Sequence, residues 1–416
     1  MILAPLHSGT SRSLIATRSS GLLRPDLLTG LALLPVLLLL SVGSLQAQVF
    51  DSELHDYRVV TVVEDLQDPW SMAFLPNGDM LVTERIGQLR IVRDGALDPE
   101  PITGVPEVRF QGQGGLLDVV LHPDFESNQL LYLSFSKPNE DLSEGTTAVV
   151  RARFDGSALH DVEEIFEAVA WGQGGSHYGS RLAFDAGGYL FVTIGDRGGR
   201  PDPDHLGDWP SQDLTNHIGT IVRLHDDGRV PEDNPFVDHA DALPEIWSYG
   251  HRNPQGLAIH PETGDVWQTE HGPQGGDELN LILPGLNYGW PVIGYGVQYG
   301  GERIHEGTHR EGMEQPVQYW TPSIATSGLM VYSGDAFPEW QGHLFVGGLA
   351  GQQLHRVGLR HGDEGYEVTR LERRPLLFGL GRIRDVRQGP DGFIYVAFDD
   401  RQGGGTTPII RMEPVN

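Results

Sequence analysis

The chain has 416 residues, 39% of them hydrophobic, and 57 acidic against 29 basic residues for a formal net charge of −28. So acidic a surface repels phosphate backbones and argues against nucleic-acid binding, while the absence of cysteine excludes disulfides, thiol chemistry and cysteine metal sites. The length is ample for a large core, and the acidic residues are scattered rather than blocked, as on a solvated surface.

The N-terminus departs from this pattern. Arg12, Arg18 and Arg24 precede a leucine-rich run, Leu27 to Gly43, and a small residue follows at Ala47. A basic region, an apolar region and a small-residue cleavage site make a secretory signal. The run is interrupted by Pro35 and is short for a permanent span. The expectation is a signal over residues 1–47, then a single domain over 48–416, periplasmic or secreted, without stable membrane insertion.

From residue 50 onward one phrase recurs: a hydrophobic strand, a turn rich in Pro, Asp and Gly, and a second strand rich in Val, Tyr and Phe. The copies begin at Met72 (MAFLPNGDMLVTE), Val119, Leu182 (LAFDAGGYLFVTIGD), Leu257, Met330 and Val386 (VRQGPDGFIYVAFD). Turn chemistry and alternation make each a β-hairpin. Six copies, roughly 45–75 residues apart, fit propeller blades carrying long insertions. The predicted fold is therefore all-β, a six-bladed β-propeller; a two-sheet sandwich would not repeat one phrase.

Three glycine-rich segments each run into a copy of the repeat: QGQGGLLD (Gln111 to Asp118), GQGGSHYGSRL (Gly172 to Leu182) and SYGHRNPQG (Ser248 to Gly256). In a propeller such loops gather on one face around the channel, where function is carried by loops on a rigid scaffold. His177 is one of 17 histidines and taken alone suits a structural role as well as a catalytic one. Asp196, one hairpin later, is placed to accept its Nδ1 proton and leave Nε2 as a base, or merely to cap a turn. Arg252 and Asn253 form a donor cluster, and Arg382 and Arg384, two apart on a strand, share a side. Two such arginines in an acidic chain suit an anionic ligand with several carboxylates, or ordinary ion pairs. The segment Glu270 to Pro291 is rich in oxygen donors and glycine turns, a composition suited to Ca²⁺. HExxH, a phosphate loop leading into a helix, and GxSxG are all absent.

Taken together, GQGGLLDVVLHPDF, SHYGSRLAF, TIGDRG, GHRNPQGLAIHP, EHGPQGGDELNLI, NYGWP and RIRDVRQGPDG resemble the soluble quinoprotein glucose/sorbosone dehydrogenases, in order, from about Val59 to Glu413. The periplasmic aldose sugar dehydrogenases are the most similar branch. The resemblance implies pyrroloquinoline quinone (PQQ), a tricarboxylate, held with Ca²⁺ on the channel face of a six-bladed propeller. It implies His177 as general base, Asp196 as the carboxylate that orients it, and Arg252 as a stabiliser of charge growing on the quinone. Gln113, Arg252, Asn253, Arg382 and Arg384 match quinone-binding positions; Tyr299, Leu349, Ala350 and Gly351 match further cofactor contacts. Gly272 and Pro273 match carbonyls that hold a bridging calcium, and Glu278 with Tyr288 match a second, structural calcium site. The implied reaction is oxidation of an aldose at the anomeric carbon to a lactone, with hydride passing to the quinone and the electrons to an unknown acceptor. The glycines around His177 would let backbone approach a flat cofactor. Two departures stand out: Ser176 replaces an Asp of glucose-oxidising relatives, and Ala350 replaces a lysine. A calcium-dependent propeller lactonase and a non-catalytic binding propeller are the alternatives.

Overall fold

The computed structural model describes residues 48–362, 365–400 and 405–415. The signal expected over 1–47 lies outside them. One compact unit spans Ala47–Asn416. It contains six antiparallel sheets, five of four strands and one of five. The only α-helix among the described residues is the single turn Phe125–Asn128. No helix among them is long and apolar enough to cross a membrane.

Each recurring phrase becomes the first two strands of one sheet: Pro69–Phe74 with Met80–Glu84, Leu116–Leu121 with Leu130–Pro138, Leu182–Phe184 with Leu190–Ile194, Pro254–Ile259 with Val266–Glu270, Thr326–Val331 with Leu344–Gly348, and Arg382–Gln388 with Ile394–Asp399. The first strands of successive sheets touch, so the six phrases line one ring and the architecture is the six-bladed propeller. The last sheet is completed by Tyr57–Gln67, which pairs with Thr406–Pro414 and ties the start of the domain to its end.

The second strand of a blade is buried on both faces; Met80–Glu84, Leu190–Ile194 and Val266–Glu270 have no exposed residue. Each apolar face packs against a neighbouring blade rather than against solvent. Six clusters result, one at every seam, exemplified by Leu81 and Ile91 against Leu131 and Phe135, and by Trp267 and Leu279 against Leu329 and Val346.

Hydroxyls stitch the inner strands together. Thr83 donates to the Leu117 carbonyl (2.5 Å), Ser134 to Ser180 (2.6 Å), Thr193 to Pro254 (3.1 Å), Thr269 to Ser327 (3.0 Å) and Ser327 to Ile383 (2.6 Å), each in the next blade. The ring closes where the Met72 N–H donates to Asp385 at 3.2 Å. Five of the six inner hairpins carry a bulge near the channel, between Pro69/Ser71, Leu116/Val119, Pro254/Gly256, Thr326/Leu329 and Ile383/Asp385. A bulge re-aims side chains, and in two of these blades Gln255 and Arg384 meet, Nη1 to Oε1 at 2.9 Å.

At the centre Arg181 is 1% exposed. Its guanidinium lies 3.0 Å from Asp385 and 3.6 Å from Asp118, donates to the Gln255 carbonyl (2.7 Å) and the Arg384 carbonyl (3.2 Å), and stacks 4.1 Å from the Trp70 ring. One side chain thus joins five blades. We expect Arg181→Leu, which leaves buried carboxylates undercompensated, to cost about 3–5 kcal/mol. Urea unfolding would read this as a lower midpoint; a change within about 0.5 kcal/mol would show that Arg387 alone neutralises the channel.

Candidate active site

The loop around His177 is held by two arginines. Arg109 donates to the carbonyls of Ser143 and Gln173, both at 2.9 Å. Arg197, its guanidinium 3.6 Å from the Tyr178 ring, donates to those of Ser176 (2.6 Å), Ala170 (3.1 Å) and Gly174 (3.2 Å). Backbone oxygens that a flexible loop would leave to water are spent on fixed cations. Packing explains several of the glycines. A Cβ on Gly112 would stand 2.4 Å from the Gly175 carbonyl, and one on Gly195 would stand 2.2 Å from that of His177. Two loops cross there at a distance no side chain permits. His177 itself has φ +51°, the left-handed region that side chains rarely adopt. Strain of this kind persists only where the surroundings enforce it, and it gathers at functional sites.

His177 and Asp196 meet as expected, Nδ1 to Oδ1 at 2.5 Å. The Asp196 side chain is 1% exposed and that of His177 12%. Burial pushes the Asp196 carboxyl up, but the His177 ring and the Arg252 charge outweigh it and hold it below the usual value. The carboxylate therefore stays ionised and fixes Nδ1 as the protonated nitrogen, leaving Nε2 as the acceptor. The His177 N–H donates to Gln113 Oε1 at 2.9 Å, so a residue expected at the cofactor also sets the base.

Gln113, Leu349, Arg382 and Arg384 line one cleft with Trp70, Arg85, Gln255 and His271. Arg382 and Arg384 do share a side despite the bulge between them: both reach Asp399 Oδ2, at 3.2 and 3.3 Å. Burial depresses the Arg384 guanidinium more than Asp399 restores it, and the charges of Arg85, Arg181 and Arg382 add to the depression. The cluster is electron-poor and suits an anion. Asn253 commits Oδ1 to the Gly179 N–H and the Gln255 amide, while its buried Nδ2 has no protein partner. The same holds for Nε2 of His271. His271 lines the cleft, and its orphaned nitrogen fits a polar ligand there; Asn253 is fully buried and is not among the lining residues. Ala350 and Gly351 are held through their N–H groups to the Ile324 carbonyl. Tyr299 is 76% exposed.

The four residues expected at calcium gather around one cavity of about 20 Å³, with Glu270, Arg252, Trp290 and His305. That is room for a single ion or water. Gly272 is not free: its carbonyl accepts from Arg252 Nη1 at 2.8 Å. The Tyr288 phenol donates to the Leu281 carbonyl (2.6 Å) and accepts from the Leu283 N–H (2.9 Å), so any contact with a cation falls to its backbone carbonyl. Glu278 is the better case. Burial and the neighbouring Glu270 raise its carboxyl well above the usual range. A buried and a half-buried carboxylate side by side fit a hard divalent ion. Among the described residues no three His, Asp or Glu side chains gather as a metal cluster, so further donors would be backbone oxygens.

Glu270, Trp290, His271, Arg85, Gln255 and the loop arginines were not marked as functional in the sequence. The signal for Glu270 was its place beside His271 in EHGPQGGDE, and for Trp290 its place in NYGWP. For Arg197 it was its place in TIGDRG, whereas Arg109 carried none, because a carbonyl-binding arginine looks like any surface charge.

A propeller with a histidine–aspartate pair beside an arginine-lined cleft describes an enzyme rather than a scaffold. The family model described as Glucose / Sorbosone dehydrogenase matches residues 66–411, and the chain belongs to that family of oxidoreductases. The aldose sugar dehydrogenase YliI of Escherichia coli (strain K12) is 43% identical over 363 residues, covering 86% of this chain and 93% of that protein. An uncharacterized protein, slr1608, of Synechocystis is 46% identical over 378 residues, covering 88% and 89%. Among solved structures, the apo-form of the soluble aldose sugar dehydrogenase from Escherichia coli superposes with TM-score 0.79 at 41% identity, over 86% of this chain and all of that one. The PQQ-bound aldose sugar dehydrogenase from Streptomyces coelicolor gives 0.67 at 28%, over 86% and 98%.

Proposed function

We propose that the protein oxidises aldose sugars at the anomeric carbon to lactones, using PQQ and Ca²⁺. The observation that carries this is the His177–Asp196 pair at 2.5 Å, hydrogen-bonded to Gln113, which lines the arginine-bearing cleft. The PQQ-bound relative supports the cofactor. Arg382, Arg384, Gln113 and Asn253 would hold the quinone's carboxylates and oxygens. When bound, the quinone supplies a two-electron hydride acceptor. Every other step belongs to this chain. His177 Nε2 removes the proton of the anomeric hydroxyl, and Asp196 stabilises the imidazolium that forms. Arg252 contributes positive charge beside them. A cation at Glu278 would relieve the repulsion between that carboxylate and Glu270.

The export signal on residues 1–47 remains part of this reading; N-terminal sequencing of the exported protein should find a start near Gln48, and an intact N-terminus in the membrane fraction would mean an anchor. For the metal, added Ca²⁺ should raise the melting temperature of the quinone-free protein and chelator should lower it, as for any ligand of the native state. Glu278→Gln should abolish the response; a melting temperature indifferent to calcium in the unsubstituted protein would remove the site. For catalysis, the test is aldose oxidation with an artificial electron acceptor, in protein loaded with PQQ and Ca²⁺. His177→Ala should retain quinone binding and lose turnover by at least about 10²-fold. The ascending limb of the pH–rate profile should vanish with it, because Asp196 is already ionised across that range. Near-equal turnover would dismiss His177 as the base, and lactone hydrolysis without an acceptor would favour the hydrolase alternative.

A further inference from the structure

We propose that Trp290 is a positioning residue of the catalytic pair: its indole N–H binds one oxygen of the Asp196 carboxylate and so fixes the carboxylate plane with the other oxygen on His177 Nδ1. The proposal rests on the reading of His177 as base and adds a third member to it. The distances are direct. Trp290 Nε1 donates to Asp196 Oδ2 at 2.7 Å, while Oδ1 takes His177 Nδ1 (2.5 Å) and the Gly198 N–H (2.9 Å). Without the indole bond, the carboxylate plane would be free to turn away from the imidazole.

Indole N–H groups elsewhere in the core show that such a bond is not automatic. Those of Trp209, Trp247, Trp267, Trp320 and Trp340 are buried without a protein partner. Trp290 is 7% exposed and locked from both sides. Its N–H donates to the Gly250 carbonyl (2.8 Å), and its own carbonyl accepts from Ser211 Oγ and Gln212 Nε2, both at 2.7 Å. An anchor this rigid can orient a carboxylate at little entropic cost. The Asp196 N–H in turn donates to the Arg252 carbonyl at 2.7 Å.

The charged groups facing this assembly are few. Arg252 lies 5.2 Å from the Trp290 ring, and His305 meets that ring edge-on at 5.5 Å. Arg197 and His271 act on Asp196 and His177 through space. Removing the indole donor leaves more negative charge on Oδ1. The carboxylate then holds the imidazole proton more tightly, so the His177 titration must move to higher pH.

The experiment compares the unsubstituted protein, Trp290→Phe and His177→Ala, each with PQQ and Ca²⁺. Trp290→Phe removes the indole donor and retains an aromatic side chain, although it also loses the volume of the fused five-membered ring at a buried position. We expect kcat to fall between about 10-fold and about 100-fold with KM little changed. The ascending pH limb should move up by roughly 0.5–1 unit. A second readout needs neither cofactor nor turnover. In apoprotein carrying ¹⁵N-indole tryptophan, the Trp290 Nε1–H resonance should shift on Asp196→Asn, and the NMR titration of His177 should move up in Trp290→Phe. If His177→Ala abolishes turnover while Trp290→Phe leaves the pH limb and the His177 titration in place, the positioning role is overturned and the base stands. If His177→Ala retains turnover, the base itself fails. Should Trp290→Phe not fold, an indole resonance that ignores Asp196→Asn overturns the proposal.

Discussion

The buried guanidinium of Arg181 is the constraint on which the rest of the channel depends. A propeller closes only if its innermost strands agree on one radius, and apolar seams between blades do not fix that radius by themselves. Arg181 does, because it bonds to a carboxylate, two carbonyls and an indole ring from other blades at once. Such a group is tolerated in the interior only when its charge and its donors are matched. Asp118 and Asp385 match the charge, with Arg387 ion-paired to both at 3.1 and 3.0 Å. The cleft residues hang from this knot. The Arg384 carbonyl is bound to Arg181, and its guanidinium is bound to Gln255, whose carbonyl Arg181 also holds.

The same logic extends outward to the chemistry. Every residue of the proposed base system is held by a neighbour in a different blade or loop. His177 takes Gln113 through its backbone and Asp196 through its ring; Asp196 takes Arg252 and Trp290; Arg252 takes Glu270 through its N–H at 2.5 Å. Glu270 also accepts from buried His251 at 3.1 Å and from Asn280 at 3.2 Å. Asn280 bonds Glu278 at 3.2 Å, so the candidate cation cavity and the base belong to one polar network. Positioning groups of this kind lower a barrier by fixing geometry in advance.

The six-fold repeat was legible because each blade needs the same thing from its inner hairpin: a tight turn and a second strand buried on both faces. VVLHPDF and LAFDAGGYLF state that requirement in residues. His177 and Asp196 were legible for a related reason, since a hairpin returns its second strand to the loop where the first began. Other features lie beyond local pattern. The bulge at Arg384 depends on the neighbouring strand. The glycines around His177 were read as allowing backbone to approach a flat cofactor; what local pattern could not show is that Gly175 and Gly179 also meet the carbonyls of Gln111 and Thr193, at 2.7 and 2.8 Å from where a Cβ would stand. Arg109 could not be distinguished from surface charge until its carbonyl partners were in place.

The arginine cluster carries a further physical consequence. Arg382, Arg384 and Arg85 stand in one cleft with Asp399 and Asp400; Asp399 is shared between the first two, and Asp68 pairs Arg85 at 3.4 Å. Like charges so close are costly in a partly dry site. The arrangement makes sense if a polyanionic ligand completes it, since each carboxylate added removes repulsion as well as gaining hydrogen bonds. Ala350 adds no cation of its own, and its backbone is tied to Ile324. Under the proposed function, anion recognition would fall on the inner-strand arginines, of which Arg384 has its carbonyl held by Arg181. The group that closes the propeller also preorganises the ligand site.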